Sequence, residues 1–435
     1  MAGSRIAVVG SGIAGLAAAW ACARSGNVVT VFEAHDRCGM DAHTAEVSTA
    51  GGSATVDVPL RIVNPAHWTH FLALCREAGV STYEVDAGLS FSTMSGHTWL
   101  RAGRVQESAR WGLGSGMLRH PGPAALRVAY GAIRLSRELD RGIAVQGIDE
   151  PTLDQFMSAK HFDPFFYIRF VLPILSTICT CSQETLRNWP AMQVLELLRT
   201  ILLGPRAQRL QGGTTALVSR LAERVDVRTG EGVTLVSPDA NGVTVLTATG
   251  TNHRFDYVVV ATQANQTTFL DPVGCRQERA VLKRFPYERG TLITHSDTRF
   301  LPRQRKHWMP LNYLLPAGQG EATWTVWLNR VEPALHEEAP VLQTWQAPAP
   351  PAVDSVHSKV VFERSVVTKD TAAALSALHR LHGDRGRRVF FCGSYAAPGV
   401  PLLETATRSA IAVSERLGAG TEWGRRAALI GGSSA

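Results

Sequence analysis

The chain opens on an unbroken apolar run, Arg5-Ile-Ala-Val-Val9, which passes into Gly10-Ser-Gly12-Ile-Ala-Gly15. A run this short, without polar alternation, predicts a strand buried on both faces. Leu16 to Arg24 is rich in alanine and leucine and predicts a helix that closes at Gly26. Val28 to Phe32 is a second β-branched run and ends on Glu33. Strand, glycine turn, helix and strand in this order make a βαβ unit.

Farther along, a strand, an Asn64-Pro65 turn and an amphipathic helix ending near Gly79 are expected between Val56 and Tyr83. Arg127, Arg134, Arg137 and Arg141 recur at helical spacing, which reads as a solvated helix face. Residues 151–203 alternate helical signals with Pro164, Pro173 and Pro190. A second α/β signal comes next. Gly212-Gly213 precedes a helix through Arg224, with strands predicted at Val225–Arg228, Val243–Leu246 and Tyr257–Ala261. Strand candidates at Thr291–His295 and Thr323–Leu328 occupy a mixed region from 276 to 385. The pattern returns to α/β with a strand at Arg388–Gly393 and a helix at Leu402–Leu417. Glu422 onward reads as a flexible end.

Composition narrows the class. The 435 residues are 45% apolar and 19% charged, the balance of a globular chain of two or three domains. The net charge of +7 is small for this length, and no nucleic-acid module is present, so nucleic acid is not an expected partner. The seven cysteines (Cys22, Cys38, Cys75, Cys179, Cys181, Cys275 and Cys392) are scattered without zinc spacing and read as buried thiols of a reducing compartment. No signal peptide or integral membrane segment is recognised. The expectation is a cytoplasmic protein, with peripheral membrane contact left open.

The glycine motif carries the chemistry. Gly10 permits the tight turn, Gly12 admits a diphosphate to the backbone, and Gly15 brings the helix close to the sheet. Ile13 and Ala14 begin the helix, whose positive N-terminal end faces the phosphates. Glu33, 23 residues after Gly10, is placed to accept hydrogen bonds from a ribose diol. The unit alone does not choose between NAD and FAD.

The residues after Glu33 make that choice. Glu33-Ala34-His-Asp-Arg37-Cys-Gly39 resembles the extended motif of flavin amine oxidases, phytoene desaturases and protoporphyrinogen oxidases. Cys392-Gly393-Ser-Tyr395 and Pro401-Leu-Leu-Glu404-Thr405-Ala406 resemble the C-terminal strand, loop and helix that cover the flavin in that superfamily. Gly212-Gly213 and the strand ending at Ala261-Thr262 match two further landmarks. Within the superfamily, Val56-Asp57 through Asn64, His295 to Thr298 with Leu301-Pro-Arg, Trp308 to Asn312 and Trp324 to Asn329 resemble a narrower branch. That branch holds FAD-dependent oxidoreductases related to the N-terminal region of plant cyclopropane fatty acid synthases. The chain departs from the pattern at Met40, which replaces the second glycine of a pair. It departs again at Asp57-Val-Pro59-Leu60-Arg61, where the family approaches the flavin ring through glycine, and at Pro401-Leu402-Leu403.

The resemblance implies an α/β fold: a three-layer, Rossmann-type FAD-binding domain from 1–90, 206–275 and 386–420, an interleaved α+β substrate domain from 91–205 and 276–385, and a tail from 421. FAD is the implied cofactor. Its implied contacts are Gly10, Gly12, Ile13, Ala14, Gly15, Glu33, Ala34, Arg37, Val233 (holding adenine by its backbone), Gly393, Glu404 and Thr405. The implied activity is dehydrogenation or desaturation of a hydrophobic small molecule, an acyl chain or isoprenoid, by hydride transfer to flavin N5. The alternatives are a non-redox flavin isomerase, an amine oxidase, and an idle FAD-binding partner of a lipid-modifying methyltransferase. Lys306 reads as part of a solvated basic loop, and His43, His67 and Tyr395 as packing or surface residues before catalytic ones. No general base or metal site is nominated. Phe162, Phe165, Phe166, Tyr167, Phe170 and Leu172 are candidate walls of a substrate tunnel, with an ordinary helical core as the stronger alternative.

Overall fold

The N-terminal motif is mounted on five parallel strands. In the computed structural model these lie in the order Asp226–Arg228, Val28–Phe32, Arg5–Val9, Tyr257–Val260, Val389–Phe391. The first strand is central, with Ile6 opposite Val29 on one side and Tyr257 on the other. Its side chains divide between two cores, which is why the run is apolar throughout. Ile6 and Val8 pack with the helix Ile13–Arg24. Ala7 and Val9 meet Val243 and Val245 of a three-stranded antiparallel layer, together with Ala374 and Leu378 of the helix Lys369–His382. The structure describes residues 3–39, 43–49, 52–104, 111–112, 122–142, 150–318, 320–336 and 339–432. The reading made on Met40 lies outside them.

A second sheet of eight strands stands beside the first. Its order is Val356–Ser365, Tyr287–His295, Leu342–Trp345, Thr323–Trp327, Leu311–Leu315, Leu89–Thr93, Thr98–Arg104, Trp111–Gly112. Gln343 lies opposite both Thr294 and Val326, and Val326 opposite Leu311, so one face of this sheet carries Gln343, Val326 and Leu311 in a row. Helices from Pro123 to Leu203 cover part of it.

Three expectations are decided here. The basic stripe is a largely solvated face, as expected, with Arg127, Arg137 and Arg141 exposed; in the helix Pro123–Asp140, Arg127 also pairs with Asp163 at 2.5 Å and lies over Phe165, while Arg134 lies over Phe162. Phe162, Phe166, Tyr167, Phe170 and Leu172 belong to the helical core, with Phe165 packed against it, which is the stronger of the two readings, and none of them lines the main cavity. The chain after Gly418 is not a loose end. It forms the helix Glu422–Gly432, with Trp423 edge-on to Trp20 at 6.2 Å between ring centres. Cys22, Cys75, Cys179, Cys181, Cys275 and Cys392 are buried. Among the described residues no group of three or more potential ligands forms a metal site, and no helix is long and apolar enough to cross a membrane.

Candidate functional site

The glycine turn has the shape its sequence requires. Gly10 adopts φ +99°, a region that disfavours side chains, and its N–H donates to the Phe32 carbonyl at 2.8 Å. A Cβ on Gly15 would stand 2.0 Å from the Gly10 carbonyl oxygen, so this glycine sets the close approach of helix and sheet. A Cβ on Gly12 would meet nothing within 4 Å. The helix Ile13–Arg24 has no side-chain cap and no acid in its first turn, and Gly12, Ile13 and Ala14 face a large cavity. Unpartnered helix N–H groups beside open space are a fitting cradle for a diphosphate.

Glu33 is held at the edge of this turn. Its Oε2 accepts from the Ser11 N–H (2.9 Å) and hydroxyl (2.5 Å), and its Oε1 from the His35 N–H (3.0 Å). The Ser11 hydroxyl also accepts from Gly39 N–H at 2.6 Å. Residues 228–231 run alongside: Glu33 N–H donates to the Arg228 carbonyl, and Glu231 N–H to the Glu33 carbonyl, both at 2.9 Å. Gly232 packs against Ala34, so Glu33, exposed Ala34 and Val233 at the head of its strand lie close together. Arg37 stands apart. It is exposed and rims a separate cavity of about 370 Å³ with Thr44, Asp57, Gly212 and Gly213.

The main cavity measures about 620 Å³, within the range of small-molecule sites. Gly12–Ala14, Ala261–Gln263 and Gly393–Tyr395 form one end. Ile174, Ile178, Ile201, Leu202, Leu311, Tyr313, Trp324 and Val326 line the other. Tyr395 is buried there with no hydrogen-bond partner for its hydroxyl, and burial pushes that hydroxyl well above its usual range. The helix Leu403–Arg416 presents Leu403 and Ala406 to the cavity, with Pro401 and Leu402 just before it. The Glu404 and Thr405 side chains are engaged inside the fold. Glu404 accepts from the His70 and Phe71 N–H groups (3.0 Å each) and contacts His70 Nδ1 at 2.6 Å, capping the helix Thr69–Glu77. The Thr405 hydroxyl accepts from Leu402 N–H at 3.0 Å. Of Glu404 and Thr405, neither side chain is left to face a ligand.

The segment Asp57–Arg61 is clamped from two sides. Gln343 accepts from Leu60 N–H (2.8 Å) and donates to the Asp57 carbonyl (2.7 Å). Arg209, only 1% exposed, donates to the Arg61 carbonyl (3.1 Å) and pairs with Glu332 (2.7 Å) and Asp57 (3.4 Å). This leaves the Arg61 side chain among the cavity-lining groups, as is Arg364 from the second sheet. Burial pushes both guanidiniums down; Arg61 adds to the effect on Arg364, which reaches about 9. His43 is likewise driven down to about 4 by burial and then by Arg61. Sequence reasoning did not single out Arg364 or Gln343 and quoted Arg61 only as a departure. A lone charge in the apolar run Val58–Val63 was the available signal.

Comparison with known proteins agrees with this arrangement. The family described as "Flavin containing amine oxidoreductase" matches residues 13–352. Polyamine oxidase 4 of Oryza sativa subsp. japonica is 23% identical over 316 residues, covering 68% of this chain and 60% of its own length, so the chain spans about three-fifths of that relative. Cyclohexylamine oxidase from Brevibacterium oxydans IH-35A superposes with a TM-score of 0.66 at 16% identity, over 96% of this chain and 100% of its own. A CLA-producing fatty acid isomerase from P. acnes gives 0.64 at 15%, over 95% and 98%. These two structures share the fold. With a family match across more than half its length and a glycine turn open to a diphosphate, the chain belongs to the flavin containing amine oxidoreductase family.

Proposed function

We propose that this protein is an FAD-dependent oxidoreductase that dehydrogenates an apolar small molecule, an acyl chain or isoprenoid in preference to an amine. The observation that carries this reading is the continuity of one cavity from the glycine turn to an apolar wall. When bound, the flavin supplies the hydride acceptor. Gly12, Ile13 and Ala14 hold the diphosphate through backbone N–H groups, Glu33 the ribose, Val233 the adenine by its backbone, and Gly393 permits close approach of the chain beyond. The start of the helix Leu403–Arg416, which lines the cavity, would offer its positive end to a bound flavin and favour negative charge on it. Ile174, Ile178, Leu311 and Val326 exclude water from the reacting carbon.

Two related proteins are named for oxidation of amines. In this chain the acidic lining residues are Glu84 and Asp86. Both are exposed, and Glu84 is already held by Arg206 at 3.1 Å. A substrate ammonium would find no buried counter-charge among the described lining residues, which disfavours it. The resemblance of several segments to the branch near plant cyclopropane fatty acid synthases supports the same choice.

The test is the visible spectrum of the purified protein, then anaerobic bleaching by acyl, isoprenoid and amine compounds. We expect flavin bands released by heat as FAD, and bleaching by an apolar compound. A colourless protein that rejects added FAD overturns the reading. Bound FAD that no compound reduces supports instead the idle partner of a methyltransferase.

A further inference from the structure

Two arginines in the main cavity lack the partners that other buried arginines of this protein possess. Arg209 is matched by Asp57 and Glu332, and Arg387 by Glu278 at 2.6 Å. Arg61 and Arg364 line the cavity, and among the described residues neither has a carboxylate within 4.0 Å. The Arg364 Nε is buried with no hydrogen-bond partner at all. The two charges also stand close enough to disfavour one another. The nearest carboxylates are Asp57, whose charge acts on Arg61 but which Arg209 and Thr214 engage, and Glu288, opposite Arg364 on the neighbouring strand and accepting from Ser182 N–H. A desolvated positive pair with no carboxylate in contact is costly, and a ligand carboxylate would relieve it.

We propose that Arg61 and Arg364 receive the carboxylate of an apolar acid, which makes the substrate of this cavity a carboxylic acid with a hydrocarbon body. The inference deepens the flavin reading above and rests on it. Position favours a substrate over the phosphates of the cofactor. Arg364 projects from the same face of the eight-stranded sheet as Gln343: Thr294 lies opposite both Gln343 and Ser358, and Arg364 is in phase with Ser358 along its strand. That face belongs to the wall formed by Val326 and Leu311, across from the sheet that bears the glycine turn. The diphosphate already has the uncapped N-terminus of the helix Ile13–Arg24. The Arg61 carbonyl is held by Arg209 and the neighbouring Leu60 N–H by Gln343, which leaves the Arg61 guanidinium to line the cavity. Guanidinium groups suit this task because their planar donors match a carboxylate and are weakly hydrated. Ile174 and Ile178 of the same cavity supply apolar lining that takes the hydrocarbon.

The experiment is titration of the purified holoprotein, followed by the change in its flavin absorbance. The probes are a carboxylate series (benzoate, octanoate, decanoate, hexadecanoate), with decylamine and methyl decanoate as charge controls. We expect at least one carboxylate to perturb the flavin band saturably, with the amine and the ester binding at least tenfold more weakly. Arg61→Gln and Arg364→Gln should each weaken that carboxylate at least tenfold while FAD content per protein stays at the level of the unsubstituted chain. Equal binding of decylamine, or silence across the whole carboxylate series, overturns the proposal without needing either variant to fold. Lowered FAD content in both variants, with carboxylate affinity unchanged in the fraction that retains flavin, assigns the pair to the cofactor and overturns it too. A colourless protein instead sinks the flavin reading, and a yellow protein indifferent to carboxylates sinks this one alone.

Discussion

Gly12 and Gly15 lie three residues apart, yet a methyl group should act differently at each. On Gly15 it would stand 2.0 Å from the Gly10 carbonyl oxygen and 3.0 Å from Ala261 Cβ, so the helix must lift from the sheet. Overpacking of this kind costs about 1–3 kcal/mol. Gly15→Ala should therefore lower the urea midpoint of the apoprotein as well as its FAD content. On Gly12 the methyl group meets no protein atom within 4 Å and occupies the space assigned to the diphosphate. Gly12→Ala should leave the apoprotein midpoint unchanged and reduce only FAD binding, read from the ratio of flavin to protein absorbance. Equal destabilisation by the two substitutions would contradict the assignment. These glycines are legible in the sequence because a tight turn and a close approach leave no other residue a place. Glu404 is less legible: a carboxylate near a ligand and one capping the helix Thr69–Glu77 look the same in one dimension. Arg364 is hidden for a different reason, since its strand reads as an ordinary alternation until the cavity shows which side is inside.

Elements were easier to anticipate where burial is uniform. Four strands of the parallel sheet and the helix Ile13–Arg24 follow from apolar runs and glycine punctuation, whereas the contacts of the basic stripe of Pro123–Asp140 were not legible because Phe162, Phe165 and Asp163 come from another segment. One junction between elements is sensitive to pH. The Phe391 N–H of the last sheet strand donates at 3.0 Å to His382 Nε2, at the end of the helix Lys369–His382. Burial, then Arg387, Arg416 and His379, drive this imidazole down to about 3 from an ordinary 6.5. The unfolded chain thus binds a proton below 6.5 that the folded chain refuses until near 3. Stability from this group is fully present above 6.5 and is lost as pH falls through that window, by about 1 kcal/mol per pH unit. His43 and His295, both lowered to about 4, add in the same sense. Denaturant midpoints measured from pH 7 to 4.5 should fall, and His382→Gln, which keeps an acceptor without a titrating ring, should flatten the slope. An unchanged slope would remove His382 from the account.

At the scale of the whole molecule, the main cavity is assembled from parts that are remote in the chain. Gly12–Ala14, Pro59–Asn64, Ile174, Thr177, Ile178, Thr180, Ala261–Gln263, Arg364 and Gly393–Tyr395 all face it. That convergence is a property of topology, and no local pattern announces it. The motifs read from sequence mark the cofactor end, while the opposite wall depends on which face of the eight-stranded sheet turns inward. Because Gln343 of that sheet bonds both Leu60 and Asp57 of the segment beside the glycine turn, the two halves should melt as one unit. A cofactor bound only by the folded state stabilises it by RT ln(1 + [L]/Kd), about 2.7 kcal/mol at 100-fold excess over Kd. Stripping FAD and restoring it should therefore shift a single calorimetric transition upward as a whole. Gln343→Leu removes both bonds across the junction. In that variant the FAD-dependent shift should be confined to part of a broadened or divided transition. Two transitions in the unsubstituted protein, with only one responding to FAD, would show that the sheets fold independently and that the clamp at Gln343 does not couple them.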